Sequence, residues 1–204
     1  AIWQSVLAAA SQALSATDAV PVAIGITNQR ETTIIWDSAT GRHLAPAIVW
    51  QCRRTAERCA ELTSAGHDDL IRERTGLVID PYFSGTKIAW LLDSDPAIRA
   101  AAESGKARFG TVDSWLLWKL TNGAEHRVDA TNASRTMLAR LDGLAWDDDL
   151  LEILDVPRAL LPEIVPSTGK FGVTAGAAPI PDGLTIGGIA GDQHAALFGQ
   201  ACFD

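Results

Sequence analysis

The sequence predicts an α/β fold within a single domain, and three observations carry that expectation. Short runs rich in β-branched residues, 22–26 (VAIGI), 33–36 (TIIW), 45–50 (APAIVW) and 184–190 (LTIGGIA), alternate with longer segments whose apolar residues recur at helical spacing. Pro, Gly and Asp/Asn clusters fall at the boundaries between them. The 204 residues, 47% hydrophobic and 21% charged, suffice for one sizeable core.

Each element has a local cause. Ile2, Trp3, Val6, Leu7 and Leu14 share a helix face, which predicts a helix ending near Ser15. Pro21 opens and Asp37-Ser38 closes a pair of strands joined at Asn28-Gln29-Arg30-Glu31-Thr32, read as a hairpin. A Thr40-Gly41 turn leads to a third strand at 45–50, and helices follow at 53–65 and 68–75, stopped by Gly76. Residues 86–92 predict another helix, with Pro96 beyond it. Residues 110–120 are compatible with strand or helix, helix being favoured with Thr111 or Asp113 as its cap. Segment 129–138 is polar first and apolar later. Three acids at 147–149 suit the N-terminus of a short helix to 154, which Pro157 ends. Pro162 and Pro166 punctuate an irregular stretch, and the strand at 184–190 meets Gly191 and a capped helix from Asp192.

The formal net charge of −8 argues against a general nucleic-acid binder, which needs a basic face to displace counterions from phosphates. No apolar run is long enough to span a bilayer, and no secretory leader opens the chain, so a cytoplasmic location is expected. Cys52 and Cys59 on one helix face would stand about 10 Å apart, too far for a disulfide, and no zinc spacing is present. The chain starts inside a helix and stops after a Gly-rich segment, so both ends look cut from a longer protein.

Arg30 and Glu31 raise the first functional question, because opposite charges sit side by side between two apolar runs. Side chains at a strand end project into the crevice where open α/β sheets bind ligands. A solvated pair on an exposed turn accounts for the same residues. Trp50 reads equally as a core aromatic at a strand end, and Tyr82, the single tyrosine, as a core ring before a helix. Asp192 reads either as an N-cap or as a carboxylate facing the crevice after Gly191.

Six blocks in order and spacing then add a further reading. AIGITNQRETTIIWD, IVWQCRRTAE, TGLVIDPYFSGTKIAWLLD, GTVDSWLLWKLTNG, VDATNASRTML and IAGDQHAALFGQ closely resemble the glycerol kinases of the FGGY carbohydrate-kinase family, from about residue 23 to 200. The resemblance implies an actin-like ATPase (ribonuclease-H-like) fold, here incomplete, with residues 1–204 forming most of the N-terminal, substrate-binding domain. The family's first phosphate-binding hairpin, D-x-G-T-[ST], is absent from this sequence, as is its C-terminal nucleotide domain. The implied reaction moves the γ-phosphoryl group of ATP, with Mg²⁺, onto glycerol to give sn-glycerol 3-phosphate.

By the same resemblance Arg30 and Glu31 grip the hydroxyls that are not phosphorylated, Trp50 and Tyr82 face the substrate, Asp192 is the catalytic base, and Gln193 adds an amide. A polyol hydroxyl is both donor and acceptor, which suits an arginine that only donates beside a glutamate that only accepts. Glycerol, and ATP through segments outside this chain, are the implied partners; relatives are commonly homodimers or homotetramers. Residues 171–204 contain neither Lys nor Arg, so the basic regulatory loop of some members looks absent. A kinase for another polyol or ketose, or a non-catalytic domain fragment, are the alternatives.

Overall fold

The computed structural model describes residues 1–202. In chain order it contains α1 (Ile2–Ser15), β1 (Ala23–Asn28), β2 (Ile34–Asp37), α2 (Ala56–Ser64), α3 (Asp68–Thr75), α4 (Ser84–Ser94), α5 (Pro96–Glu103) and β3 (Ala107–Gly110). These are followed by α6 (Val112–Leu120), β4 (Arg127–Asp129), α7 (Ala130–Ala133), α8 (Asp148–Ile153), β5 (Glu163–Val165), β6 (Thr168–Val173), β7 (Thr185–Gly191) and α9 (Asp192–Gly199).

The strands form three small sheets. β7 lies between β1, to which it runs parallel, and β6, which is antiparallel to it. β2 pairs antiparallel with β3, and β4 pairs parallel with β5. The expected hairpin across residues 28–32 is therefore not formed, because β1 and β2 take partners in different sheets. The reason is visible in the connection: it carries Glu31 at φ 63° and a single tight bond from Thr32 N–H to the Arg30 carbonyl, and it is held from outside by other side chains.

The expected strand at 45–50 reduces to one bridge, in which Ile48 and Thr33 exchange backbone bonds of 2.9 and 3.0 Å. Pro46 supplies no N–H donor to extend it. The helix expected at 53–65 begins only at Ala56, so Cys52 precedes the helix that carries Cys59, and the shared helix face does not arise. All three cysteines are free thiols. Two strands, β5 and β6, order the proline-punctuated stretch, and β3 and α5 are elements the periodicity did not reveal.

The helix ends follow their chemistry. Gly76 closes α3 in the left-handed region at φ 69°, Pro96 occupies the first turn of α5 under an Asp95 cap, and Asp147 caps α8 through the Leu150 amide. Strand β2 separates two cores by simple alternation: Ile34 and Trp36 face one side and Ile35 the other. Trp36, fully buried, meets Trp115 edge-on at 5.2 Å and His126 at 5.4 Å. A Cβ on Gly110 would lie 2.9 Å from the Trp36 ring and 2.5 Å from the Ser114 Cβ, so that position is reserved for glycine. Emptying such a Trp site costs roughly 3 to 5 kcal/mol. Among the described residues no helix is long and apolar enough to cross a membrane.

Candidate active site

The parallel pairing of β1 with β7 places Asn28 opposite Gly191, so two segments more than 160 residues apart in sequence leave the sheet at the same end. Arg30 and Glu31 follow β1, and Asp192 and Gln193 follow β7. Here lies a cleft of about 380 Å³ lined by Gln29, Arg30, Glu31, Trp50, Tyr82, Asp192 and Gln193. All six residues singled out in the sequence line this one cleft.

Arg30 is 5% exposed and its guanidinium donates to Gln193 Oε1, while its Nε stands 3.8 Å from Asp192 Oδ1. Its Cδ occupies the space above Gly191, 2.3 Å from where a Cβ would lie, so only glycine admits this packing. Glu31 is 2% exposed, and Arg135 Nε holds its Oε1 at 2.8 Å. Trp50 and Tyr82 meet edge-on at 5.6 Å and form an aromatic side to the cleft. Burial, with Glu31 nearby, raises the Tyr82 phenol above its ordinary pKa and keeps it protonated. Asp192 is 57% exposed. It does not cap α9: Gly191 is the N-cap, and Asp192 Oδ1 accepts only the adjacent Gln193 amide at 2.9 Å. Its carboxylate is thus left open to the cleft's solvent side.

The left-handed backbone at Glu31 is uncommon for a residue with a side chain, and its carbonyl is held by three donors, Ser84 Oγ and Lys87 Nζ, each at 3.1 Å, and Thr33 Oγ1 at 3.4 Å. Lys87 is completely buried and also donates to the Tyr82 carbonyl at 2.5 Å. Burial lowers its amine to about 8. A neutral amine retains enough N–H groups to serve both carbonyls. Lys87 therefore ties the Arg30-Glu31 turn to the Tyr82 loop.

Sequence reasoning missed Arg135 and Lys87. Arg135 follows a helix of only four residues and carries no periodic signal, and its guanidinium also stacks 4.8 Å over the Phe83 ring. Lys87 sits in a helix where a lysine ordinarily faces water. Of the two caps the sequence offers for α6, Thr111 is the N-cap, and Asp113 is wholly buried. Its Oδ1 accepts from Thr111 Oγ1 and from Asn28 Nδ2 at 3.3 Å, and its Oδ2 has no hydrogen-bond partner.

Burial pushes the Asp113 carboxyl up to about 7 from the ordinary 3.8, against the lowering effect of the Thr111 bond. Between those two values the folded chain keeps a proton that the unfolded chain has released, so stability falls as pH rises from about 4 through 7. Asp113→Asn cannot titrate. Chemical denaturation between about pH 4.5 and 8 should show the variant gaining on the wild type as pH rises; a constant difference across that range would count against a protonated Asp113.

An α/β domain that gathers a donor, an acceptor, an aromatic side and an open carboxylate at the ends of parallel strands is suited to a small polyhydroxylated ligand. The model of the N-terminal domain of the FGGY family of carbohydrate kinases matches residues 1–199. The chain belongs to that family. A glycerol kinase of Delftia acidovorans is 55% identical over 205 residues, covering 99% of this chain and 41% of that protein. Glycerol kinase 2 of Thermotoga maritima is 54% identical over 208 residues, again 99% of this chain and 41% of its own length. The chain thus spans about two fifths of the curated relatives it matches.

Among solved structures, Plasmodium falciparum glycerol kinase with ADP matches 100% of this chain and 40% of its own at TM-score 0.92 and 36% identity. A ligand-bound xylulose kinase from Lactobacillus acidophilus matches at TM-score 0.85 and 21% identity, covering 97% of this chain and 40% of its own, a likeness of fold alone. The expected actin-like ATPase fold is the fold these kinases share with this chain.

Proposed function

We propose that this chain is the glycerol-binding part of an ATP-dependent glycerol kinase, which transfers the γ-phosphoryl group of ATP to glycerol and forms sn-glycerol 3-phosphate. The observation that carries the reading is the convergence of Arg30, Glu31, Trp50, Tyr82, Asp192 and Gln193 on one small cleft. The identity to proteins called glycerol kinases supports the choice of substrate. In this reading residues 1–204 are most of the N-terminal domain, and segments beyond them bring the first phosphate-binding hairpin and the nucleotide domain. The complete enzyme is taken as cytoplasmic and homo-oligomeric.

Arg30 donates to glycerol oxygens and Glu31, steadied by Arg135, accepts from its hydroxyls. Trp50 and Tyr82 cover the carbon chain. Asp192 orients the attacking hydroxyl and accepts its proton as the new P–O bond forms, a role suited to an exposed carboxylate. Both carboxylates of the cleft already face arginines, a donor set that fits hydroxyls better than a bare cation. Mg²⁺ accompanies ATP and neutralises its phosphates; no residue here is assigned to it.

The test is a coupled assay of ADP release by the complete protein with ATP, Mg²⁺ and either glycerol, xylulose or ribulose. Glycerol is expected to give the highest kcat/KM. Turnover with a ketose alone would move the assignment to another carbohydrate, and none with any acceptor would overturn it. Residues 1–204 by themselves are expected to show no glycerol-dependent ATPase activity, since positioning of the nucleotide phosphates supplies most of the catalysis. Measurable turnover by the purified 204-residue chain would refute that.

A further inference from the structure

The cleft's two walls are joined from below by a buried polar cluster that none of the roles above requires. At its centre is Asp129, the last residue of β4 and the N-cap of α7, with no exposed surface. Five donors converge on its carboxylate. Oδ1 accepts the Asn132 amide at 3.1 Å and Asn132 Nδ2 at 2.7 Å. Oδ2 accepts the Thr131 amide at 3.0 Å, Thr131 Oγ1 at 2.7 Å and Ser167 Oγ at 2.7 Å. Two of these bonds cap a helix of only four residues, which explains why so short a helix forms. The other three are more than a cap requires.

Thr131 gives the cluster a direction. A hydroxyl has one proton, and this one points at Asp129, so the oxygen must act as acceptor elsewhere. It accepts the backbone N–H of Gly191 at 2.8 Å. Gly191 is the N-cap of α9 and immediately precedes Asp192. On the opposite side of the cluster, Asn132 and Asn28 exchange side-chain amide bonds of 3.0 and 3.1 Å, which fixes the residue from which the Arg30-Glu31 turn departs. Just beyond α7, Arg135 reaches Glu31. One short helix therefore contacts the backbone ahead of Asp192 and the end of β1, and the segment that follows it reaches the Glu31 carboxylate.

We propose that Asp129 and Thr131 are positioning residues for phosphoryl transfer: through the Gly191 N–H they set where Asp192 stands relative to a hydroxyl held by Arg30 and Glu31. The proposal rests on the glycerol kinase reading for its kinetic part. Neither residue lines the cleft, and Thr131 bonds to Gly191 and not to the Arg30-Glu31 turn, so its loss falls on the alignment of the base more than on the grip on substrate. Misplacement of a reacting group by about 1 Å can cost on the order of 100-fold in rate. Release of a single backbone tether should cost less, roughly 10-fold.

Thr131→Val removes the acceptor while conserving the branched shape, and Thr131→Ser keeps the hydroxyl. In the complete enzyme Thr131→Val is expected to lower kcat roughly 10-fold with the KM for glycerol within about twofold of wild type, and Thr131→Ser to recover most of the loss. Hydrogen exchange read by mass spectrometry should show faster exchange in the peptide spanning Gly191 for Thr131→Val and wild-type exchange for Thr131→Ser. Unchanged exchange at Gly191, wild-type turnover in the valine variant, or equal losses in both variants would each overturn the proposal. A wild-type protein inactive toward glycerol overturns the functional reading instead, while the exchange measurement still decides whether Thr131 tethers Gly191.

Discussion

Asp192→Asn in the complete enzyme is expected to fold normally, to bind glycerol, and to lose turnover by ~10²- to 10⁴-fold, the range for general-base assistance. The substitution separates two roles that the sequence alone leaves open. Were Asp192 only a helix cap, Asn would serve nearly as well. In the structure the cap is Gly191, and the single bond to Asp192 Oδ1 comes from the neighbouring Gln193 amide, which an asparagine oxygen also accepts. The carboxylate is more than half exposed and faces a cleft rather than a packed core, so its neutral isostere has little to disturb. What the amide lacks is the capacity to take up the hydroxyl proton. Steady-state kinetics with glycerol, together with a melting curve, decide it: near-normal turnover would remove Asp192 from the chemistry, and a large fall in melting temperature would reassign the residue to structure.

The candidate site was more legible than the sheet that builds it. Arg30, Glu31, Trp50, Tyr82, Asp192 and Gln193 were assigned to the site by the resemblance to the family, local chemistry leaving the alternatives open, and all line one cleft. Local pattern did not show their proximity, which the resemblance alone implied, because it depends on β1 pairing in parallel with β7 at the far end of the chain, and a parallel partner leaves no turn signature between the strands. Local pattern instead favoured the nearest apolar run, and so produced a hairpin that does not exist. Helix ends fared better, since Gly76, Pro96 and Asp147 act within one turn of themselves. Residues whose role depends on burial were invisible. Lys87, Asp113 and Asp129 are charged types that ordinarily face water, and only tertiary packing turns each into an internal strut. Arg135 was hidden for another reason: it lies in an irregular segment, and its target, Glu31, is 104 residues away.

Arg30→Ala is expected to act mainly on the other half of the reaction, raising the KM for glycerol. Arg30 is almost wholly buried, its guanidinium ends among groups of the cleft, and hydrogen bonds from a charged donor in such a place are worth about 1.5 to 3 kcal/mol, or roughly 10- to 150-fold in binding. Turnover should fall less, because Asp192 keeps its place through Gly191 and Thr131 and not through Arg30 alone. A companion variant distinguishes lost charge from lost position. Gly191→Ala retains the guanidinium but puts a methyl group where the Arg30 Cδ now packs, 2.3 Å from the new atom, so the arginine must move aside. If Arg30 binds substrate from a fixed location, both variants raise the KM; if only its charge matters, Gly191→Ala binds glycerol as the wild type does. A KM unchanged in Arg30→Ala with a collapsed kcat would show that the arginine serves the transition state and that its assignment to ground-state binding is wrong.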